Sequence, residues 1–155
     1  MTIDMTRKLP RPAGHHNVTP GFAVKGASKV IAFLERAFGG RVVEKYEGPG
    51  GVVFHAEVML GDSVVMLGDA SIEQGHPVMP AMLSFYVDTG AEVDVTYGKA
   101  LAIGAKSVRA PENQFYGYRS ACVEDVGGNR WTICSVVEEL TKDQIEQRMA
   151  SMPHS

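Results

Sequence analysis

A chain of 155 residues, 45% hydrophobic and 21% charged, is long enough for one domain core and short for two ordinary ones. Its net charge of −3, with acidic and basic side chains interleaved, offers no cationic stripe for tracking phosphates, so nucleic acid is not an expected partner. No stretch approaches the ~20 consecutive apolar residues of a spanning helix, and the opening MTIDMTRKLPRPAGHH carries no apolar secretion core, so a cytoplasmic protein without a membrane partner is expected.

Residues 1–16 mix charge, prolines and a Gly-His-His without periodicity and read as a mobile arm. A short β-compatible run over 18–24 is followed by a turn in which Ser28 is a candidate helix cap. Val30, Phe33, Leu34, Ala37 and Phe38 then recur at i, i+3, i+4, i+7 and i+8, the apolar stripe of a helix that Gly39-Gly40 ends. Three strands are predicted at 41–46, 52–60 and 63–68, the last two joined by a Gly61-Asp62 hairpin turn. Residues 69–80, with Gly75 and two prolines, read as a linker. The order then recurs: a strand at 81–87, a helix at 91–102, and strands near 105–109, 116–123 and 129–136. Beyond Val137, Thr141 is a cap candidate for a short surface helix carrying Ile145 and Met149, within a C-terminal segment 139–155.

Two stretches, 17–70 and 80–138, thus share one element order, βαβββ, which predicts an internal duplication inside a single α+β domain. A doubly wound parallel sheet is disfavoured, because strands and helices do not alternate one to one. Cys122 and Cys134 lack the spacing of a zinc site and read as free thiols.

The strings VTPGFAVKGASKVIAFLERAFGGRVVE, HAEVMLGDSVVMLGD and YGYRSACVEDVGGNRWTICSVVEELTKDQIEQRM stand in order on this duplicated pattern. Through them the chain resembles the PhnB-like branch of the vicinal-oxygen-chelate superfamily, the glyoxalase, bleomycin-resistance and dioxygenase proteins, over residues 17 to 150. The resemblance implies mixed sheets curled into a cup, helices outside, a ligand pocket on the inner strand faces, and a homodimer. Members of that superfamily include metal-dependent isomerases and dioxygenases as well as metal-free drug-sequestering proteins. Aligned with the glyoxalase branch, the four metal-ligand places fall on Thr19, Met66, Met82 and Thr132. Thioethers and hydroxyls do not make the donor set of a divalent ion, so no metal and no cofactor are expected. Where close relatives read Trp-Gly-Asp-Arg-Tyr and Asp-Pro-Phe-Gly-His, this chain has Tyr116-Gly117-Tyr118-Arg119-Ser120 and Asp125-Val126-Gly127-Gly128-Asn129. Activity resting on the first Asp or the His of that pattern has no counterpart here.

Strand periodicity assigns faces. With Gly61-Asp62 as the turn, Glu57 opposes Met66 and Met59 opposes Val64, so His55, Glu57 and Met59 share the cup face with Met66. His55 and Glu57, about 7 Å apart along one face, could act as a general acid/base pair, contribute two donors to an unconventional metal site, or close the cup by a structural hydrogen bond. In the second half Met82, Ser84 and Tyr86 are expected in the cup beside Thr132 and Cys134, while Leu83, Phe85, Trp131 and Ile133 face the helices. Tyr116, Tyr118 and Arg119 are expected near its mouth, the tyrosines to stack on a planar ligand and Arg119 to pair with an anionic one, unless it bonds a loop carbonyl. Three functions fit these residues. The first is a metal-independent protein holding a hydrophobic or planar small molecule among Met59, Met66 and Met82. The second is a lyase, isomerase or cyclase using His55 and Glu57, and the third a divalent-metal glyoxalase or dioxygenase.

Overall fold

In the computed structural model, which describes residues 1–153, the first half runs β1 (Gly21–Val24), α1 (Ala27–Phe38), β2 (Arg41–Glu47), β3 (Val53–Leu60) and β4 (Ser63–Asp69). The second half repeats the order with β5 (Met82–Tyr86), α2 (Gly90–Ala102), β6 (Lys106–Asn113), β7 (Tyr118–Glu124) and β8 (Arg130–Val136). A last helix, α3 (Lys142–Ala150), follows. Of the C-terminal segment expected over 139–155, His154 and Ser155 lie outside the described residues. Among the described residues no helix is long and apolar enough to cross a membrane.

Each half builds one four-stranded mixed sheet, ordered β1-β4-β3-β2 and β5-β8-β7-β6. In both, the first strand lies parallel to the last and the remaining pairs are antiparallel. The duplication read from element order is therefore a repeat of topology as well. Gly61 takes φ 62°, a left-handed value that favours glycine, and the β3–β4 hairpin closes with Leu60 opposite Ser63, Met59 opposite Val64 and Glu57 opposite Met66. That register fixes which side chains face the helices and which do not.

The apolar stripe of α1 is buried along its whole length, from Val30 to Phe38. Its N-terminus departs from expectation, because Ser28 lies inside the helix and the capping residue is Gly26, whose side chain can accept nothing. The carboxylate of Asp69, at the end of β4, supplies the missing acceptor: Oδ1 accepts from the Ala27 N–H at 2.9 Å and Oδ2 from the Val53 N–H at 2.8 Å. A carboxylate is favoured at a helix N-terminus by the unpaired amides and the helix dipole. The Thr141 cap of α3 is as expected, in a reciprocal capping box with Gln144.

The helix-covered faces of both sheets share one core. Phe38 stacks on Phe85 at 4.5 Å between ring centroids and meets Trp131 edge-on at 5.1 Å, while Phe22 of β1 meets Trp131 at 6.4 Å. Burying large aromatics from both halves against one another joins the modules through their helix-covered sides. The opposite faces of the two sheets carry the candidate site.

Candidate functional site

On the open face of the first sheet, His55, Glu57, Met59 and Met66 stand together as the hairpin register requires. The Nε2 atom of His55 lies 2.9 Å from Glu57 Oε2. A third group completes the cluster from the N-terminal segment: His15 places its Nε2 3.0 Å from Glu57 Oε1. Glu57 is 12% and His55 40% exposed, so the carboxylate is largely enclosed between two imidazoles while one ring stays open to solvent. Tyr46, opposite His55 on β2, stacks beside it at 6.4 Å.

Local geometry brings His15 there. The Val64 N–H donates to the Gly14 carbonyl at 3.0 Å and the Met66 N–H to the Pro20 carbonyl at 2.9 Å, so the chain before β1 lies along β4. Gly14 has φ 79°, and a Cβ there would stand 2.7 Å from the Met59 sulfur. The left-handed φ is what favours glycine at this point, since the end of the Met59 side chain could give way. The arm expected over 1–16 thus ends in contact with the sheet, and the sole sequence signal was the glycine directly before the His-His pair. Two cavities flank the segment. One, of about 370 Å³, is lined by His55, Met66 and Gly21 together with His76, Pro77 and Met79 of the linker. The other, of about 420 Å³, lies among His16, Val18, Ser84 and Tyr86.

On the second sheet Met82, Ser84, Tyr86 and Thr132 occupy one face, with Ser84 opposite Thr132 and Tyr86 opposite Cys134. Met82 is 80% and Tyr86 58% exposed. The hydroxyls of Tyr86 and Tyr118 are 3.2 Å apart, and the Tyr118 ring is 6.0 Å from Tyr86 and 5.2 Å from Tyr116. The hydrogen bond to Tyr118, burial and the neighbouring Cys134 thiol together push the Tyr86 hydroxyl up to about 12, so it remains a proton donor at neutral pH. Burial pushes the Cys134 thiol up as well, which keeps the sulfur neutral.

Arg119 points elsewhere. Tyr118 pairs with Val136 and Ser120 with Cys134, so the period-2 rule turns Arg119 toward the helix side. There its Nε and Nη2 both donate to Asp94 of α2 at 2.8 Å, and Nη1 donates to Asn113 at 3.0 Å. This bidentate bond holds the Asp94 carboxyl below its ordinary range and raises the guanidinium. A cation that does stand on the open face is Arg109, opposite Cys122 on β7. It escaped the sequence reading because the strand was expected to stop at 109, whereas β6 continues through Pro111 with register shifts on either side of Arg109. Proline in an edge strand is the mark of such an irregularity.

The metal site implied by the resemblance can be tested against these positions. Thr19 precedes β1, and its hydroxyl bonds back to His16. On β1 the residue opposite Met66 is Gly21, and on β5 Ser84 lies opposite Thr132. In either register the places hold glycine, hydroxyls and thioethers, which do not fit a divalent ion. Among the described residues no three or more His, Cys, Asp or Glu form a group that could hold a metal.

The relation to known proteins agrees with this architecture. An uncharacterized protein of Mycobacterium bovis is 30% identical over 141 residues, covering 86% of this chain and 92% of its own. Among solved structures, TioX from Micromonospora sp. ML1 aligns over 81% of this chain and all of its own at 22% identity, with a TM-score of 0.61. A PhnB protein from Bacillus cereus aligns over 77% of this chain and 99% of its own at 17% identity, with a TM-score of 0.60. The model of the Glyoxalase/Bleomycin resistance protein/Dioxygenase superfamily matches residues 15–133. With that match over most of its length, and a repeated βαβββ topology behind it, the chain belongs to this superfamily.

Proposed function

We propose that this protein binds a planar, largely apolar small molecule against the open face of the second sheet, without a metal ion. The observation that carries the reading is the group Tyr86, Tyr116 and Tyr118 with Met82, left standing on an uncovered sheet face. Aromatic rings and a thioether exposed together fit a planar ligand, since tyrosine supplies flat apolar area with a polar tip and methionine adapts its shape. Metal independence is supported by the glycine, hydroxyl and thioether groups at the family's ligand places. A second copy of the chain facing this surface, as the resemblance implies, and a cytoplasmic location, consistent with the free thiols of Cys122 and Cys134, belong to the same proposal. Calorimetric titration with 2-naphthol, a neutral fused-ring probe, tests it. The expected result is saturable binding that weakens about tenfold when Tyr86 and Tyr118 are both replaced by Leu. No heat of binding, or equal affinity in the double variant, would discard the reading.

A second reading is favoured by the His15–Glu57–His55 cluster, in which both oxygens of one carboxylate face imidazoles. Such a group can take a proton from carbon and pass it on, the work of a lyase or isomerase. Deuterium exchange at the α-carbon of an aryl ketone, followed by NMR, is then expected to be catalysed and to slow about a hundredfold in Glu57→Gln. Identical exchange rates in the two proteins would remove this alternative.

A further inference from the structure

The register of the second sheet puts Arg109 on the same side as the tyrosines. Crossing from β6 to β5, one row runs Glu112, Ser120, Cys134, Tyr86, and the next runs Arg109, Cys122, Thr132, Ser84. The guanidinium leaves its own row for the first one: Nη1 donates to the Ser120 carbonyl and Nη2 to the Ser120 hydroxyl, both at 3.0 Å. Ser120 is fully buried, so the head group is anchored on an immobile partner. Two residues along β7, about 7 Å away, stands Tyr118, and Tyr86 lies two strand spacings, roughly 10 Å, across the sheet. The remaining contact of the guanidinium is with Glu112 at 3.4 Å, whose side chain is 58% exposed. A pair that long and that solvated is weak, and the carboxylate can swing away. A guanidinium has five N–H donors, and these three bonds do not use them all.

The other groups of the neighbourhood favour an acceptor-rich guest. Ser84 and Thr132 add hydroxyls in the adjacent row, and Tyr86 keeps its proton. Lys106, Glu124 and Arg130 stand one row further on, where Lys106 opposes Glu124 and Glu124 opposes Arg130, two cations and one anion.

We infer that the ligand of this face is an aromatic carboxylate, its rings against Tyr118 and Tyr86 and its carboxylate taken by the Arg109 guanidinium beside Ser120, a step that rests on the planar-ligand reading above. Geometry and charge both ask for this pairing: a fused-ring acid reaches from the tyrosines to β6, and a planar guanidinium matches a carboxylate edge to edge.

Titration of the wild-type protein with 2-naphthoate and with 2-naphthamide, which share shape and differ in charge, tests the inference. The acid is expected to bind about tenfold more tightly than the amide. In Arg109→Gln that preference should vanish while the amide affinity stays as it was. Equal wild-type affinity for the two probes, or a preference that survives in Arg109→Gln, overturns the role of Arg109 and leaves the planar-ligand reading standing. Binding of neither probe overturns both. The acid-against-amide comparison needs no variant, so a lack of preference overturns the inference even if Arg109→Gln folds poorly, and Arg109→Lys, which keeps the charge but loses the fork, then stands in as the variant whose preference should shrink.

Discussion

Asp125→Ala is expected to lower folding stability by about 3–5 kcal/mol, because it strands buried donors that have no other acceptor. Asp125 sits 5% exposed in the turn between β7 and β8 and accepts from four groups: the Gly127 N–H at 2.8 Å, the Asn129 N–H at 3.0 Å, the Asn129 side-chain amide at 2.9 Å and the Trp131 indole N–H at 2.9 Å. Trp131 and Asn129 are almost wholly enclosed, so water cannot replace the lost carboxylate for either. Asn129 also holds the strand entry opposite, its Oδ1 accepting from the Ala81 N–H at 2.8 Å, so the damage spreads to β5. Urea denaturation measures the loss directly, and the melting temperature should fall by roughly 10 °C. Asp125→Asn, which keeps one acceptor oxygen, should lose less. A deficit under about 1 kcal/mol in the alanine variant would show that the turn relaxes to satisfy its donors elsewhere.

Phe38→Ala should cost a similar amount, about 3–5 kcal/mol, by a different mechanism. The ring touches Phe33 of its own helix at 5.3 Å and reaches Phe85 and Trp131 of the second sheet. Removing it opens a cavity where the two modules meet, rimmed by stiff aromatic groups and strand backbone that cannot collapse into the space. The specific expectation is that the midpoint falls while unfolding becomes less cooperative, with fluorescence of Trp131 changing before the loss of ellipticity. Coincident transitions with a loss below about 1.5 kcal/mol would mean that the interface repacks around the smaller side chain. Phe38→Leu retains most of the volume and should lose under half as much.

The architecture was legible because two signals agreed. Helical spacing from Val30 to Phe38 and the Gly61-Asp62 turn each fix a local structure, and the turn alone sets the parity of every side chain on β3 and β4. Once parity is known, the placement of His55 and Glu57 beside Met66 follows. Parity also explains where the reading failed. Arg119 and Tyr118 are neighbours in sequence and therefore cannot share a face, and Arg119 turned to Asp94, a partner 25 residues away. Arg109 and His15 were invisible for another reason. One follows a register shift in an edge strand, and the other lies in a segment with no period at all, positioned by long-range backbone bonds from β4 to Gly14 and Pro20. Periodicity reports on regular backbone and is silent where the backbone departs from it.

The bond from Asp69 to residue 27 has a consequence for the order in which the chain can assemble. As the polypeptide leaves the ribosome, Ala27 at the start of α1 emerges 42 positions before Asp69, the last residue of β4. The first turn of that helix therefore has only water as acceptor for this amide until the whole hairpin has been synthesised and folded back. Because the same carboxylate also grips Val53, a single side chain latches the start of a helix and the start of a strand in one event. The N-terminal module is thereby made to close as a unit, late in its own synthesis and ahead of its twin.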